Sequence, residues 1–208
     1  KQWGMLPEEL DSRVLERVPL WTDRDNRYFK DKHQGMPGLG YAKMIERMLA
    51  HPNIEIVLNR DYKHILSEVE FGKMIYTGPL DYFFDYKYGK LPYRSLRFEF
   101  ETLNQEWFQE AAVINYPGDE LFTRVTEFKR MTGQAHSMTT ILREYPKAHV
   151  PEENIPCYPI PKKENFERYR KYKEEADKLP NVIFIGRLAE YRYYNMDEAV
   201  ERAMRAVA

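Results

Sequence analysis

An alternation of apolar and charged residues constrains the fold of this chain more than any other feature. Leu96, Phe98 and Phe100 are separated by single charged residues. A two-residue period is typical of a strand with one apolar and one solvated face. Strands of this kind belong to antiparallel sheets, because parallel strands are usually covered on both faces. The pattern therefore predicts a mostly antiparallel sheet.

Five further segments carry the short apolar runs or the alternation expected of strands, and they extend the predicted sheet to about six strands. These segments are residues 54–58, 73–77, 111–116, 122–129 and 138–145. Helices are predicted where apolar residues recur three or four positions apart. The helical segments are residues 7–18, 41–49, 166–179 and 196–207. Together the elements predict an α+β fold with helices flanking the sheet.

Composition divides the chain into three parts. Residues 1–40 hold a short helix and a glycine-rich loop, residues 41–161 hold the sheet and end in a proline-rich connector, and residues 162–208 read as helix, buried strand and helix. The chain opens with Lys1 rather than Met. We expect it to be part of a longer protein.

Charge and cysteine content exclude several classes of partner. The chain has 32 Lys and Arg residues and 33 Asp and Glu residues. Its net charge is therefore close to zero and gives no long-range attraction to nucleic acid or an anionic membrane. No apolar run approaches the length of a membrane span. Cys157 is the only cysteine, which fits a reducing compartment. We expect a cytoplasmic protein without nucleic acid or membrane insertion.

Two arginines break the strand pattern. Arg94 and Arg124 share their predicted strand faces with phenylalanines, so each guanidinium should point toward the apolar side and needs a partner there. One reading is an ion pair with Glu127 or Glu144. The other is a cleft that receives a polyanion, because the planar guanidinium suits phosphate. Arg17, on the inward stripe of the first helix, supports the second reading.

The C-terminal segment gives the most specific local signal. A buried strand at residues 181–185 runs into Gly186 and Arg187, then into a tyrosine-rich loop and a helix preceded by Asn195. Asn195 at the N-cap and Glu198 three residues later form a capping box. Backbone N–H groups at such a turn and helix start could bind an anion. A plain capped helix is the alternative.

Several catalytic motifs are absent from the sequence. The five histidines show no ligand spacing, so no metal site is predicted. The sequence contains no G-x-S-x-G, Walker A or G-x-G-x-x-G pattern, and no motif surrounds Cys157.

Nine short motifs occur in an order typical of one enzyme family. They are residues 1–4 (KQWG), 25–29 (DNRYF), 76–81 (YTGPLD), 93–96 (YRSL), 115–116 (NY), 122–124 (FTR), 143–145 (REY), 158–160 (YPI) and 186–193 (GRLAEYRY). Together they resemble the C-terminal part of the UDP-galactopyranose mutase family. These flavoenzymes are isomerases that contract the ring of UDP-galactopyranose to UDP-galactofuranose for cell-surface glycan synthesis, with FAD in its reduced form.

The resemblance implies an architecture. The family combines a FAD-binding Rossmann part, a helical domain and a six-stranded antiparallel sheet domain, with the UDP-sugar bound between them. This chain would supply the sheet domain and the C-terminal strand–turn–helix of the FAD-binding part. Whether the protein forms a homodimer stays open.

The resemblance also implies roles for individual residues. Arg17 and Arg124 would be catalytic, because they would hold the diphosphate leaving group. Substrate-binding residues would be Trp3, Tyr28, Arg94, Asn115, Tyr158, Tyr193 and Asn195. Cofactor-binding residues would be Gly186, Arg187, Tyr193 and Met196.

The chain departs from the family pattern near the proposed site. Ala189 and Glu190 replace the usual Gly-Thr pair, Asn195 replaces an Asp, and Cys157 replaces a Tyr. We expect Glu190 to compensate the acid lost at Asn195. The departures keep three alternatives open: a mutase of another nucleotide sugar, an amine-oxidase-like FAD oxidoreductase, and a non-catalytic nucleotide-binding homologue.

Overall fold

The computed structural model of the chain describes residues 1–11, 22–24 and 29–207. Its helices are α1 (Gly40–Leu49), α2 (Tyr62–Ile65), α3 (Leu80–Phe83), α4 (Phe128–Thr132), α5 (Lys163–Ala176) and α6 (Met196–Val207), and a 3-10 turn covers Pro7–Glu9. Its strands are β1 (Met74–Tyr76), β2 (Tyr93–Leu103), β3 (Val113–Asn115), β4 (Arg124–Glu127), β5 (Thr139–Ala148), β6 (Tyr158–Pro159) and β7 (Val182–Phe184). No helix in these ranges has both the length and the apolar character that a membrane crossing requires.

The strands form two sheets. Five antiparallel strands lie in the order β3-β4-β5-β2-β6, and β1 pairs in parallel with β7. The prediction of a mixed helix-and-sheet fold with an antiparallel sheet is confirmed. The prediction of six strands in one sheet is wrong, because residues 73–77 form β1 and pair with β7 instead.

Three further strand predictions need correction. Residues 54–58 form no strand in the described structure, and Leu58 is 74% exposed; alternation alone does not make a strand that has no neighbour to pair with. The fifth strand of the antiparallel sheet is β6, which lies in the proline-rich connector as an edge strand, where proline is tolerated. Strand β4 ends at Glu127, because Phe128 starts α4.

The helix predictions fare better. Helices α1, α5 and α6 confirm three of the four predicted segments within a few residues. Of the predicted helix over residues 7–18, the described part contains the 3-10 turn Pro7–Glu9, and residues 12–18 lie outside the described residues.

Strand register divides the antiparallel sheet into two faces. We call the face that carries Arg94, Phe98, Arg124 and Glu144 the front face and the other the back face. The back face is buried at β4 and β5, where Val125 and Ile141 are at most 1% exposed. Phe98 on the front face is 50% exposed. The two arginines do share a face with phenylalanines, but the expectation that this face is buried is wrong for the residues described.

A buried carboxylate organises the back face. Glu127 is fully buried and accepts hydrogen bonds from the backbone N–H groups of Phe108 and Gln109, at 2.9 and 3.1 Å, and from the Thr139 hydroxyl at 2.7 Å. These bonds fasten the loop after β2 beneath β4 and β5. Glu127 is therefore a structural residue of the back face, and it is not the partner of either front-face arginine.

We expect Glu127→Gln to lower the free energy of unfolding by about 1–3 kcal/mol, because the amide would turn an N–H group toward a buried donor. The urea midpoint at constant slope measures this loss. Glu101→Gln is the matched control, since Glu101 is an exposed carboxylate paired with Arg143; its change should stay within about 0.5 kcal/mol. Equal losses in the two variants would contradict the role assigned to Glu127.

An aromatic core ties the C-terminal segment to the start of β2. The core consists of Leu80, Leu91, Tyr93, Tyr172, Ala176 and Tyr191. The Tyr191 hydroxyl donates to the carbonyl of Pro92 at 2.6 Å. This contact holds the loop after β7 beside β2 and β6, and thereby positions the residues that follow Tyr191.

Candidate functional site

A row of paired residues, which we call the polar row, crosses four strands of the front face; three of its members are polar and Phe98 ends it. Asn115 pairs with Arg124, Arg124 pairs with Glu144, and Glu144 pairs with Phe98. Neighbouring strands lie about 4.8 Å apart, so these side chains project side by side. The structure thus brings Asn115 and Arg124 together, as neighbours in one row.

Arg124 and Glu144 form an ion pair at the centre of this row. The Arg124 Nε atom lies 4.0 Å from Glu144 Oε1. The Arg124 side chain is 41% exposed, whereas that of Glu144 is 14% exposed. Burial raises the pKa of the Glu144 carboxyl, and the Arg124 charge partly offsets that rise. The ion-pair interpretation is confirmed with Glu144, and the guanidinium still offers an open side to an anion.

A second group lies at the β6 edge of the same face. Arg94 pairs with Tyr158 across β2 and β6. The Arg94 Nε atom donates to the carbonyl of Gln2 at 3.1 Å, and the Trp3 ring meets Tyr158 edge-on with centroids 6.3 Å apart. Burial lowers the pKa of Arg94. The N-terminal segment therefore lies over this end of the front face.

Lys1 holds the other end of the N-terminal segment. The Lys1 ammonium donates to the carbonyl of Tyr116 at 2.5 Å and to that of Gly118 at 3.1 Å. Residues 1–4 consequently run from the connection between β3 and β4 to Arg94. Trp3 lies at the β6 edge, where its ring contacts Tyr158.

Tyr193 and Arg187 join the group at Tyr158. The Tyr158 and Tyr193 rings stack with centroids 5.6 Å apart and planes inclined by 12°. The Arg187 guanidinium carbon lies 4.5 Å from the Tyr193 centroid and 5.2 Å from that of Tyr158. Burial, followed by the neighbouring Tyr193, raises the pKa of Tyr158. We call Tyr158, Tyr193 and Arg187 the tyrosine–arginine cluster.

Glu144 of the polar row also acts electrostatically on the cluster. Its charge contributes to the raised pKa of Tyr158, while Arg124 acts on Glu144 itself. Phe98 and Arg94 are four residues apart on β2, which is about 13 Å along a strand. The front face therefore offers an extended surface with a cation toward each end.

The turn after β7 contains an unexpected carboxylate contact. Gly186 has a φ of +95°, and its N–H donates to Glu190 Oε2 at 2.9 Å. Glu190 also pairs with Arg202 on α6. That Glu190 compensates the acid lost at Asn195 stays a prediction; the Glu190 carboxylate pairs with Arg202 and is directed toward the Gly186 N–H.

The predicted capping box at α6 is present in its glutamate half. The Asn195 N–H donates to Glu198 Oε2 at 2.7 Å, and Met196 begins the helix with 67% of its surface exposed. A carboxylate at this position satisfies one of the N–H groups that a helix start leaves without a helical partner.

The turn and helix start fit a phosphate-bearing cofactor in shape. A Cβ atom added to Gly186 would meet no heavy atom within 4 Å, so the backbone there is open to a ligand. The N-terminus of α6 adds the dipole that favours an anion. Glu190 is the feature that opposes an anion, since it already accepts the Gly186 N–H.

Most sequence-predicted site residues meet on or beside the front face. These are Trp3, Arg94, Asn115, Arg124, Tyr158, Arg187 and Tyr193. Gly186, Asn195 and Met196 follow on the adjoining C-terminal segment. Arg17 and Tyr28 lie outside the described residues. The sequence indicates Glu144 only as an ion-pair partner, and its central place in the row follows from the register between β2, β4 and β5.

No group of three or more His, Cys, Asp and Glu side chains suited to a metal ion occurs among the residues that the structure describes. Cys157 is partly buried, and burial raises the pKa of its thiol. The Cys157 backbone contacts the site residues: its carbonyl accepts from the Arg187 guanidinium at 3.2 Å, and its N–H donates to the backbone carbonyl of Arg94 at 2.8 Å.

Comparison with known proteins gives a consistent result. The family model of UDP-galactopyranose mutase matches residues 1–193. The chain is 40% identical to a Klebsiella pneumoniae protein described as a probable UDP-galactopyranose mutase, over 99% of this chain and 53% of that protein. It is 35% identical to the dTDP-fucopyranose mutase of Escherichia coli, over 98% of this chain and 56% of that enzyme. The chain thus spans about half the length of the curated relatives it matches.

A solved structure shares the fold. The crystal structure of a reduced UDP-galactopyranose mutase superimposes with a TM-score of 0.56 at 16% sequence identity, covering 67% of this chain and 41% of the other. This similarity supports the antiparallel sheet architecture described above.

Proposed function

The chain belongs to the UDP-galactopyranose mutase family, and we propose that it provides the substrate-binding sheet of a flavin-dependent enzyme that converts UDP-galactopyranose to UDP-galactofuranose. The reaction is an isomerisation without net redox change. The protein would act in the cytoplasm, in a route to cell-surface glycans.

The front face is the observation that carries this proposal. Arg124 lies in the polar row with an open side, Asn115 lies beside it, and Tyr158 with Tyr193 lies toward the β6 edge of the face. Such a surface suits a ligand with a diphosphate in the middle and polar groups on both sides. Guanidinium and tyrosine hydroxyl groups are suitable donors to phosphate oxygens.

Each residue has a proposed role in holding that ligand. Arg124, together with Arg17, binds the diphosphate and stabilises the charge that develops when the bond to the sugar breaks. Tyr28, Tyr158 and Tyr193 donate hydroxyl groups to the same diphosphate. Holding the leaving group in place keeps it available for the return step.

The remaining substrate contacts concern the sugar. Asn115 and Arg94 would bind sugar hydroxyl groups, and Trp3 would cover the site from the N-terminal segment. Asn195 would lie beside the sugar and diphosphate at the start of α6.

The C-terminal strand, turn and helix are proposed to form part of a Rossmann-like FAD site. Gly186, Arg187, Tyr193 and Met196 would hold the cofactor. Reduced FAD would supply the nucleophile for exchange at the anomeric carbon. The chain's own residues bind and orient the sugar nucleotide and exclude water from it.

The test uses the full-length protein with FAD, reduced by dithionite. We expect it to convert UDP-galactopyranose to UDP-galactofuranose and back, as measured by chromatographic separation of the two ring forms. Peroxide release from an amine without a response to UDP would instead support an amine-oxidase-like oxidoreductase. Binding of UDP without turnover by the reduced protein would support a non-catalytic homologue.

A second candidate is a mutase of another nucleotide sugar. The relative named dTDP-fucopyranose mutase is 35% identical over nearly the whole chain, and Asn195 differs from the Asp that is usual in the family. Parallel assays with UDP-galactopyranose and dTDP-fucopyranose decide between the candidates through the ratio of their kcat/KM values.

We expect Asn195→Asp in the full-length protein to weaken UDP binding about fivefold, because a negative charge added near a diphosphate opposes its binding by about 1 kcal/mol at intermediate dielectric. The thermal midpoint should not change, since Asn and Asp cap helices about equally well. Titration calorimetry measures the affinity. Asn181→Asp, at an exposed position before β7, is the control. Unchanged affinity would leave helix capping as the role of Asn195.

A further inference from the structure

Arg187 contacts both aromatic members of the cluster. Its guanidinium carbon lies 4.5 Å from the Tyr193 ring centroid and 5.2 Å from the Tyr158 centroid. The negative face of a tyrosine ring attracts a guanidinium, and the attraction grows when the pair is partly desolvated. One cation therefore stabilises a stack whose two rings come from different parts of the chain.

The hydrogen bonds of Arg187 join the same two parts. Nη1 donates to the carbonyl of Cys157 at 3.2 Å, and Nη2 donates to the carbonyl of Tyr194 at 2.6 Å. Cys157 directly precedes Tyr158, and Tyr194 directly follows Tyr193. The planar guanidinium thus connects the two backbone segments from which the stacked tyrosines project.

This connection bridges the edge of the antiparallel sheet and the loop beyond β7. Tyr158 belongs to β6, whereas Tyr193 belongs to the segment that leads into α6. The relative position of the two hydroxyl groups depends on how these segments are held together. The tyrosine stack and the Arg187 bridge join the two segments beside Tyr158 and Tyr193, and farther along the loop the Tyr191 hydroxyl donates to the carbonyl of Ile160 at 3.3 Å.

We propose that Arg187 is a positioning residue that sets the spacing of Tyr158 and Tyr193, so that both hydroxyl groups meet one diphosphate. The role rests on the proposed function, because it needs an anionic ligand at these tyrosines. It is separate from the proposed cofactor contact of Arg187, and the two roles affect different ligands.

A double-mutant cycle in the full-length, FAD-loaded protein tests the role. The UDP dissociation constant is measured by titration calorimetry for the wild type, Arg187→Gln, Tyr193→Phe and the double variant. We expect each single change to weaken UDP about tenfold and the double change to weaken it about twentyfold, because residues that act through one another are not additive. Flavin content per protein is measured in the same samples, and UDP affinity is compared among the flavin-containing molecules, because Arg187 and Tyr193 are also proposed cofactor contacts.

Arg192→Gln is the matched control. Arg192 is exposed, lies in the same loop and also has its guanidinium over a tyrosine, 5.2 Å from the Tyr194 centroid. Its UDP affinity should equal that of the wild type. If Arg187→Gln does not fold, Arg187→Lys takes its place in the cycle, since it keeps the charge and loses the bridging fork.

Three results would overturn the positioning role: unchanged UDP affinity in the Arg187 variant, a roughly hundredfold additive loss in the double variant, or a loss of flavin while the molecules that retain flavin bind UDP normally. A wild-type protein that does not bind UDP would refute the proposed function itself, which is a distinct outcome.

Discussion

Arg124→Lys in the full-length enzyme is expected to lower kcat/KM by on the order of 10²-fold or more. Lysine keeps the positive charge but loses the planar pair of donors that a phosphate oxygen pair accepts. It also loses the geometry of the contact with Glu144, whose side chain is largely buried 4.0 Å away. The substitution would therefore weaken the contact with the ligand and change the orientation of the cation.

Arg97→Lys is the control for this substitution. Arg97 lies on the same sheet but on the back face, exposed, where it pairs with Glu99 and its guanidinium carbon lies 3.9 Å from the Tyr145 centroid. We expect a kcat/KM near that of the wild type, because exposed ion pairs and cation–π contacts contribute little. Steady-state kinetics with UDP-galactopyranose measure both variants. Similar small effects at the two positions would contradict the diphosphate role of Arg124.

The arginine positions illustrate what a sequence predicts about a sheet. A period of two places Arg94 on the same face as Phe98, and the register confirms that Arg124 lies on that face as well. The face of a strand on which a side chain lies depends only on the local sequence, so it can be predicted. Which face is buried depends on what packs against it, and here Glu127 holds a loop under the back face.

The strand errors have the same physical origin. Residues 54–58 alternate in the sequence and yet form no strand in the described structure, whereas the proline-containing β6 is a strand because Arg94 and Tyr93 offer an edge to pair with. Strand formation depends on a partner that is distant in sequence. Helices α1, α5 and α6 depend mainly on local periodicity, and their positions were predicted within a few residues.

The candidate site divides in a similar way. The motifs and strand parity identify Arg94, Arg124, Tyr158 and Tyr193 from the sequence alone. The bridge from Arg187 to two carbonyls and the turn of Glu190 toward Gly186 could not be predicted. Both contacts end on backbone atoms, which carry no residue-specific signal in the sequence.

The second large effect concerns the cofactor: we expect the 208-residue chain, purified alone, to contain no FAD. Micromolar affinity corresponds to about 8 kcal/mol, whereas a charge at a helix N-terminus gains about 0.3–1 kcal/mol, and about 2 kcal/mol in favourable cases. The sequence contains no G-x-G-x-x-G turn to add further N–H donors. The start of α6 and the turn at Gly186 therefore cannot supply the affinity by themselves.

Glu190 weakens cofactor binding by this chain further. Its carboxylate already accepts the Gly186 N–H and is held there by Arg202, so a pyrophosphate would meet a negative charge at the place where it needs a donor. Flavin absorbance per mole of purified chain measures the outcome, with the full-length protein as the positive control. A yellow 208-residue chain with stoichiometric flavin would contradict the prediction, and it would mean that Gly186, Arg187 and the start of α6 bind the cofactor far more strongly than a helix dipole and one arginine allow.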